Sequence, residues 1–434
     1  MSSAVKLRDS LLLLKDIHNK TIKLDLGLYE SVYVVGAGKA TARMAEGLCR
    51  ILKTRISGGA INVPNYTFDN KTRAWITDRH ISVTEAGHPL PDRAGIRGAI
   101  TIVKLLKKTT ESDLVFCLLS GGGSALLPLP LEGISLDDKQ KITNEMLSVG
   151  ATINELNVIR KHLSMVKGGR LIRFVNKGCT VIALVMSDVI GDNMDMIASG
   201  PTVPDSSTFQ DASNILRKYG LWHRTGRPFT QIRRLLTNGL RGRIQETPKD
   251  NNPIFKNVHN LLIGNNSILC GYAIEYLKKR IKKVNSLGSS FGGEAKEFGY
   301  FLANLSKNAI SSPGSVAFVM GGETTVKLNC PQRKGIGGRN QEAVLSALQN
   351  CSFPQGIDFS LCCMGTDGID GNSRAAGAIV TPKTISRIKE RRIDVDEYLC
   401  AHDSYNALRK LRSLIITGRT GTNLNDIAII CKVA

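Results

Sequence analysis

The chain alternates short, almost wholly apolar runs with longer segments in which apolar residues recur every three or four positions. Ser31–Val35 (SVYVV), Asp113–Leu119 (DLVFCLL) and Thr180–Met186 (TVIALVM) are runs of the first kind. Runs without polar alternation belong to strands covered on both faces, as in a parallel sheet flanked by helices. Each run ends in a short polar turn: Gly36-Ala37-Gly38 after the first, Ser120-Gly121-Gly122-Gly123-Ser124 after the second, Ser187-Asp188 after the third. An amphipathic segment from Lys39 to Leu52 follows the first turn. The pattern predicts an α/β fold whose first domain is a largely parallel, Rossmann-like sheet, with ligands beyond the carboxyl ends of its strands. The second half repeats the style, with strands over Asn260–Ile263, Val316–Met320, Phe359–Met364 and Asp426–Cys431 and a helix over Ser267–Lys279. Between the halves, Arg227–Asn252 turns basic and polar. That predicts a boundary there, with α/β domains over 1–248 and 254–434.

A length of 434 residues agrees with two domains. Apolar content of 42% and charged content of 22% exclude a disordered or fibrous chain. No apolar run approaches the roughly 18 residues of a membrane span. Ten scattered cysteines without a CxxC spacing argue against zinc and disulfide frameworks and for a reducing compartment. The cytoplasm is the expected location. Lys6 and Arg8 leave a mitochondrial address as the alternative, against which Asp9 and Asp16 argue.

The formal charge of +21 suits a nucleic-acid binder or a protein with polyanionic ligands. Its basic residues fall into separate clusters, among them Lys278-Lys279-Arg280, Arg233-Arg234 and Arg391-Arg392. Aromatics are only 5% of the chain, too few for stacking platforms on single strands, so these clusters read as solvated faces.

Candidate chemistry gathers in the glycine-rich stretches. VVGAGKA (Val34–Ala40) lacks the third dinucleotide glycine, which is Thr41, and no acid follows near position 56 to hold a ribose. Lys39 instead opens a helix beyond a strand, where an ammonium attracts anions. SGGGS (Ser120–Ser124) can present its amides as an anion nest, or serve tight packing; three adjacent glycines favour the nest. Asp188, with Asp192 and Asp195 close behind, suits Mg2+ ligation or proton transfer, N-capping being the plainer reading. Arg160, Lys161, His162, Lys167 and Arg170 lie on an apparent helix between two such loops, and one or two of them are expected to meet a ligand. Glu323 follows a strand in GGETTVKL, and GIGGRNQE offers Arg339, whose planar fork suits phosphate. GTDGIDG contributes Asp367 and Asp370, and GTNLND leads into the last strand, as a structural turn or as a binding one.

In order, VVGAGKA, GHPLPD (Gly87–Asp92), SGGGSALL, NVIRKHLSMVKGGRL, MSDVIGDNMDMIASGPT, GGETTV, GGRNQE, GTDGIDG and GTNLND resemble the type II glycerate kinases, which carry a MOFRL domain at their C-terminal end. The resemblance covers nearly the whole chain from about Val32. It implies two α/β domains with the active site in the cleft between them, and transfer of the ATP γ-phosphate, with Mg2+, to D-glycerate. The expected product is 2-phosphoglycerate, with 3-phosphoglycerate open.

By the same resemblance Lys39 and Arg339 act on the moving phosphate, and Asp188 and Asp192 match the family's SDVxGD aspartates. Glu323 and Asp367 match acidic binding positions. Asp188 is then either the base or a metal anchor, with Asp192 as second metal candidate. Ser120, Gly121, Gly122, Gly123, Ser124 and Lys167 would cradle phosphate or the glycerate carboxylate. Partners would be ATP and D-glycerate, with no nucleic acid and no membrane, on a monomer or homodimer. Three departures stand out: Arg374 replaces an Asp before AAGA, Arg419 replaces a Pro before TGTN, and the helical region ahead of Ser31 is shortened. A hydroxypyruvate reductase is the competing enzyme reading, and a basic nucleic-acid-binding protein the competing class.

Overall fold

In the computed structural model, which describes residues 1, 4–65, 70–328, 335–350 and 356–433, the apolar runs become neighbouring strands of one sheet. Its order is Ile81–Ala86, Gly58–Pro64, Ser31–Ala37, Asp113–Ser120, Thr180–Met186 and Val258–Gly264. The first five pair in parallel. Every residue of Asp113–Ser120 is buried. The reason is two-sided cover: Leu114, Phe116 and Leu118 join Met44 and Leu48 on one face, while Val115, Cys117 and Leu119 join Ile102 and Leu106 on the other. A strand with no solvent face has no use for polar alternation, hence its unbroken apolar run. Among the described residues no helix is long and apolar enough to cross a membrane.

The chain divides into two compact units, Met1–Ile263 and Gly264–Ala434. Strand Val258–Gly264, which pattern alone put in the second half, is the edge of the first sheet. The basic stretch is not a linker throughout: Phe229–Leu240 is a helix with Ile232, Leu235 and Leu236 buried. It joins helices Leu136–Ser148, Ile153–His162 and Phe209–Lys218 in a separate apolar cluster. Three of these helices start with reciprocal capping boxes, Ser135 with Asp138, Thr152 with Glu155 and Thr208 with Asp211. Each satisfies amide hydrogens that the first helical turn leaves without partners. Ahead of Ser31 lies a three-stranded antiparallel sheet, Val5–Arg8, Leu11–Lys15 and Thr21–Asp25, whose Leu12 and Leu14 enter the core beside Leu48.

The second unit is also α/β, but its sheet is mixed. Its order is Lys283–Ser286, Val316–Gly322, Asp426–Val433, Asp358–Gly365, Gly377–Val380 and Leu414–Ile415. Only the first pair is parallel; the rest are antiparallel. The last strand of the chain thus inserts at the centre. Helices Ala295–Ser311 and Arg339–Asn350 pack together over one face, through Leu302, Ala303, Val344 and Ala347.

Phe116, fully buried in the first sheet, provides a test of this core. Both tryptophans, Trp75 and Trp222, belong to the first unit, so fluorescence follows its unfolding. Phe116→Ala is expected to lower its unfolding free energy in urea by about 3–5 kcal/mol. A loss below about 1 kcal/mol would contradict two-sided burial.

Candidate active site

In the first sheet the chain steps outward from Ser31–Ala37 through Gly58–Pro64 to Ile81–Ala86, then returns to Asp113–Ser120 on the other side of its starting strand. The connections after Ser31–Ala37 and Asp113–Ser120 therefore diverge, and a crevice opens where the order reverses. VVGAGKA and SGGGS are the two loops at this point. They touch through one backbone-to-backbone bond and one bond to a side-chain hydroxyl. Lys39 N donates to Gly121 O at 2.8 Å, and Ala40 N donates to Ser120 Oγ at 3.0 Å. A Cβ on Gly38 would lie 2.1 Å from Ser120 Oγ, so only glycine allows the approach.

Each glycine of SGGGS has its own steric reason. At Gly121 a Cβ would stand 1.7 Å from Asp188 Oδ2. Gly122 has φ +79°, and a Cβ there would meet His88 Nε2 at 2.9 Å and Lys39 Cγ at 3.1 Å. At Gly123 it would meet Ala198 Cβ at 2.7 Å. Each of the three thus has a close-packing reason beside the anion-nest reading, and what packs on Gly121 and Gly122 is the candidate chemistry itself: Lys39, His88 and Asp188. Ser120 is fully buried and serves the loop contact. Ser124 pairs its hydroxyl with Ser199 at 2.9 Å, and its carbonyl accepts from Lys167 Nζ at 2.8 Å. His88 lies in GHPLPD, to which the residue-level reading assigned no chemistry.

The basic segment is not a solvated helical face. Its helix ends at His162, and Lys161, His162, Lys167 and Arg170 are all buried. Lys161 Nζ pairs with Asp195 at 2.7 Å and Asp205 at 3.1 Å, which takes Asp195 out of the metal candidates. Arg170 donates to the carbonyls of Lys161, Ser164 and Gln245. His162 meets Val158 O and, at 3.0 Å, Glu246 Oε1, partners distant in the chain. Asp192 sits in a tight turn at φ +57°, half-buried.

In the second unit Arg339 opens its helix with three of its five N–H donors engaged. Nε and Nη2 reach Asp426 at 2.5 and 3.0 Å, and Nη1 reaches Glu323 at 2.8 Å. Burial alone would lower its pKa, but Asp426 and Glu323 outweigh it and push it up, so the cation is permanent. Asp367 lies on the same side: a Cβ on Gly365 would be 3.3 Å from Asp426 Oδ1 and 3.4 Å from Asp367 Oδ1. Asp426, the residue most firmly bound to Arg339, carried no candidate chemistry in the sequence, where it ends GTNLND and opens the last strand. Asp370 is structural: its carboxylate accepts from Asn340 N and Gln341 N at the start of the helix. Arg374 and Arg419 are exposed.

Could these residues hold Mg2+? Among the described residues no three His, Cys, Asp or Glu gather as a metal cage. Mg2+ at phosphoryl-transfer sites is usually carried by one or two carboxylates and substrate phosphates, so the fit is a question for single carboxylates. Asp188, pressed against the backbone of Gly121, fits that duty.

A lysine, a histidine and an aspartate around glycine loops at a sheet's switch point define an α/β protein that handles anionic ligands. Residues 1–236 match the family described as a domain of unknown function (DUF4147), and residues 316–426 match the MOFRL family. The chain is 41% identical to Glycerate 2-kinase of Pyrococcus horikoshii, covering 92% of this chain and 86% of that protein. It is likewise 41% identical to D-glycerate 2-kinase of Thermotoga maritima, over 92% and 90% of the two chains. The crystal structure of glycerate kinase from Thermotoga maritima superposes with a TM-score of 0.79 at 39% identity, covering 94% of this chain and 93% of that one. The chain belongs to the MOFRL-containing glycerate kinase family.

Glu246 offers a test of how the basic segment is anchored. Burial would raise its carboxyl, but the hydrogen bonds from His162 and the Phe209 amide prevail and bring it down to about 2. A depressed folded-state value adds stability that is present above the ordinary 4.5 and lost as the pH falls toward about 2. The stability gap between the native chain and Glu246→Gln should therefore shrink between about pH 5 and pH 2. Urea titrations at several pH values measure it, and a constant gap would refute the anchoring role.

Proposed function

We propose that this chain is an ATP-dependent kinase of D-glycerate, acting through Lys39, Asp188 and Arg339. The observation that supports it most is the convergence of Lys39 and Asp188 on Gly121 and Gly122 at the switch point, in a chain of this family. In such a transfer the protein forms little covalent chemistry; it positions groups and offsets charge. The ammonium of Lys39 would offset charge spreading onto the γ-phosphoryl oxygens. Asp188 would take the acceptor hydroxyl proton. Arg339, rigidly held by Asp426 and Glu323, keeps two N–H donors for a phosphate oxygen. Mg2+, when bound with the nucleotide, would draw charge from its phosphates; Asp188 is the carboxylate suited to hold it, with Asp192 second.

The names of the two 41%-identical relatives favour phosphorylation at the 2-hydroxyl. ATP and D-glycerate, not nucleic acid, are the proposed ligands. Lys278, Lys279, Arg280, Arg391 and Arg392 are exposed, as solvated surface charge should be. A cytoplasmic monomer or homodimer is the proposed setting. Relatives in Agrobacterium vitis, 36% identical, carry a provisional hydroxypyruvate reductase name. The fold does not favour that chemistry: Thr41 occupies the third glycine position, and Gly58–Pro64 runs into Asn65 with no acid to hold a ribose.

One assay with ATP, Mg2+ and D-glycerate, the product read by phosphorus NMR, should yield ADP and 2-phosphoglycerate. No ADP formation, or NADH oxidation with hydroxypyruvate instead, would defeat the reading. Lys39→Ala and Arg339→Ala should each lower kcat by about 10²-fold or more, as for comparable charge-stabilising donors. Near-normal turnover in either removes that residue from the role. Asp188→Asn should shift the Mg2+ dependence to higher concentration if Asp188 anchors the ion. Lost kcat with an unchanged Mg2+ curve assigns it to proton transfer.

A further inference from the structure

Beside the SGGGS loop, within the first unit, is a cavity of about 290 Å3. Its lining includes His88, Gly122, Lys139, Asn144, Arg160 and Lys167. Three of the described lining residues are cations and none is a carboxylate. Lys139 is 8% exposed and Lys167 1%. Each has one acceptor for three N–H donors: Lys139 Nζ gives to Pro128 O at 3.0 Å, Lys167 Nζ to Ser124 O at 2.8 Å. Elsewhere in this unit a buried lysine is matched by carboxylates, as Lys161 is by Asp195 and Asp205. Buried ammonium groups without a counter-charge are unfavourable unless something negative joins them.

We propose that this cavity binds the carboxylate of the acceptor, a small 2-hydroxy acid, through Arg160, Lys139 and Lys167. The proposal rests on the glycerate kinase reading and deepens it. Gly122 is the hinge of the argument: it lines the cavity, and its vacant Cβ position faces His88 Nε2 and Lys39 Cγ. An acid anchored by its carboxylate here carries its neighbouring hydroxyl toward Lys39, one carbon away. Gln140 and Asn144, on the same helix as Lys139, offer amides for the remaining hydroxyl. The described lining has no Phe, Tyr or Trp to stack a purine, and the volume suits a three-carbon acid rather than a nucleotide. Burial, then the nearby Arg160, pushes Lys139 down to about 7; burial also lowers Lys167, with Lys139 and Arg160 adding to it. Anion binding favours the protonated form of Lys139, so it takes up protons near neutral pH.

The test uses Arg160→Met and Lys139→Met in the full chain. Each should raise the KM for D-glycerate about tenfold or more, the loss of a hydrogen bond to a charged group, with the KM for ATP within about twofold. A raised KM for ATP with that for D-glycerate unchanged assigns the cavity to nucleotide phosphate and overturns the proposal. Calorimetry without nucleotide separates this from the kinase reading itself. D-glycerate should bind the native chain and glycerol, which lacks the carboxylate, should not; the variants should lose that binding, and the native enthalpy should depend on the buffer as protons are taken up. D-glycerate binding equally to native and variant chains, or not at all to the native chain, overturns the proposal. If the chain binds D-glycerate in this way but forms no ADP, the kinase reading fails while the cavity stands. Lys139→Met should keep or raise Tm, because a buried charge is removed. A fall of several degrees with D-glycerate KM unchanged would make Lys139 a strut.

Discussion

Two loops meet at the point where the first sheet reverses its strand order, and the candidate chemistry of that unit depends on the contact. Lys39 N on Gly121 O and Ala40 N on Ser120 Oγ hold the GAGKA turn against SGGGS. The contact exists because Gly38 has no Cβ to strike Ser120, and the parallel register of Ser31–Ala37 with Asp113–Ser120 ends both strands together. With the loops locked, Gly121 and Gly122 leave room for Asp188, His88 and Lys39 to approach. A side chain at Gly121 or Gly122 would displace Asp188, or His88 and Lys39, not merely strain a turn.

Buried charge organises the rest of the first unit in two ways. Lys161 is matched by the carboxylates of Asp195 and Asp205, which tie the helical cluster to the segment after Thr180–Met186, while Arg170 is held by three carbonyls. Lys139, Arg160 and Lys167 border a cavity whose described lining holds no carboxylate. Lys161 and the two buried lysines of the cavity, Lys139 and Lys167, thus differ in counter-charge rather than in burial. In the second unit Arg339 is a third case: a paired cation whose partners fix its direction while leaving donors over.

Much of the fold was legible from pattern. Buried parallel strands are continuous apolar runs, and three of them were placed to within two residues. Pairing direction was not legible in the second unit, because a strand covered on both faces reads the same beside parallel or antiparallel neighbours. Nor was the membership of Val258–Gly264, which depends on a partner far away in the chain. Phe229–Leu240 looked like linker because its polar face dominates; only Ile232, Leu235 and Leu236 reach the core. For the three glycines of SGGGS entropy suggested amides for an anion; the close approach of neighbours such as Asp188 and Ala198 is a second reason, one that local sequence does not record.

By itself the sequence determined the period of its strands and helices, the position of its glycine loops after strands, and its family, because each is written in residues close together in the chain. Tertiary structure alone decided which charges meet. Lys161 finds its acids 34 and 44 residues away, and His162 its glutamate 84 residues away. Arg339 is held by Asp426, 87 residues on. Whether a cation is a strut or a ligand's partner depends on such distant oxygens, which local spacing does not record.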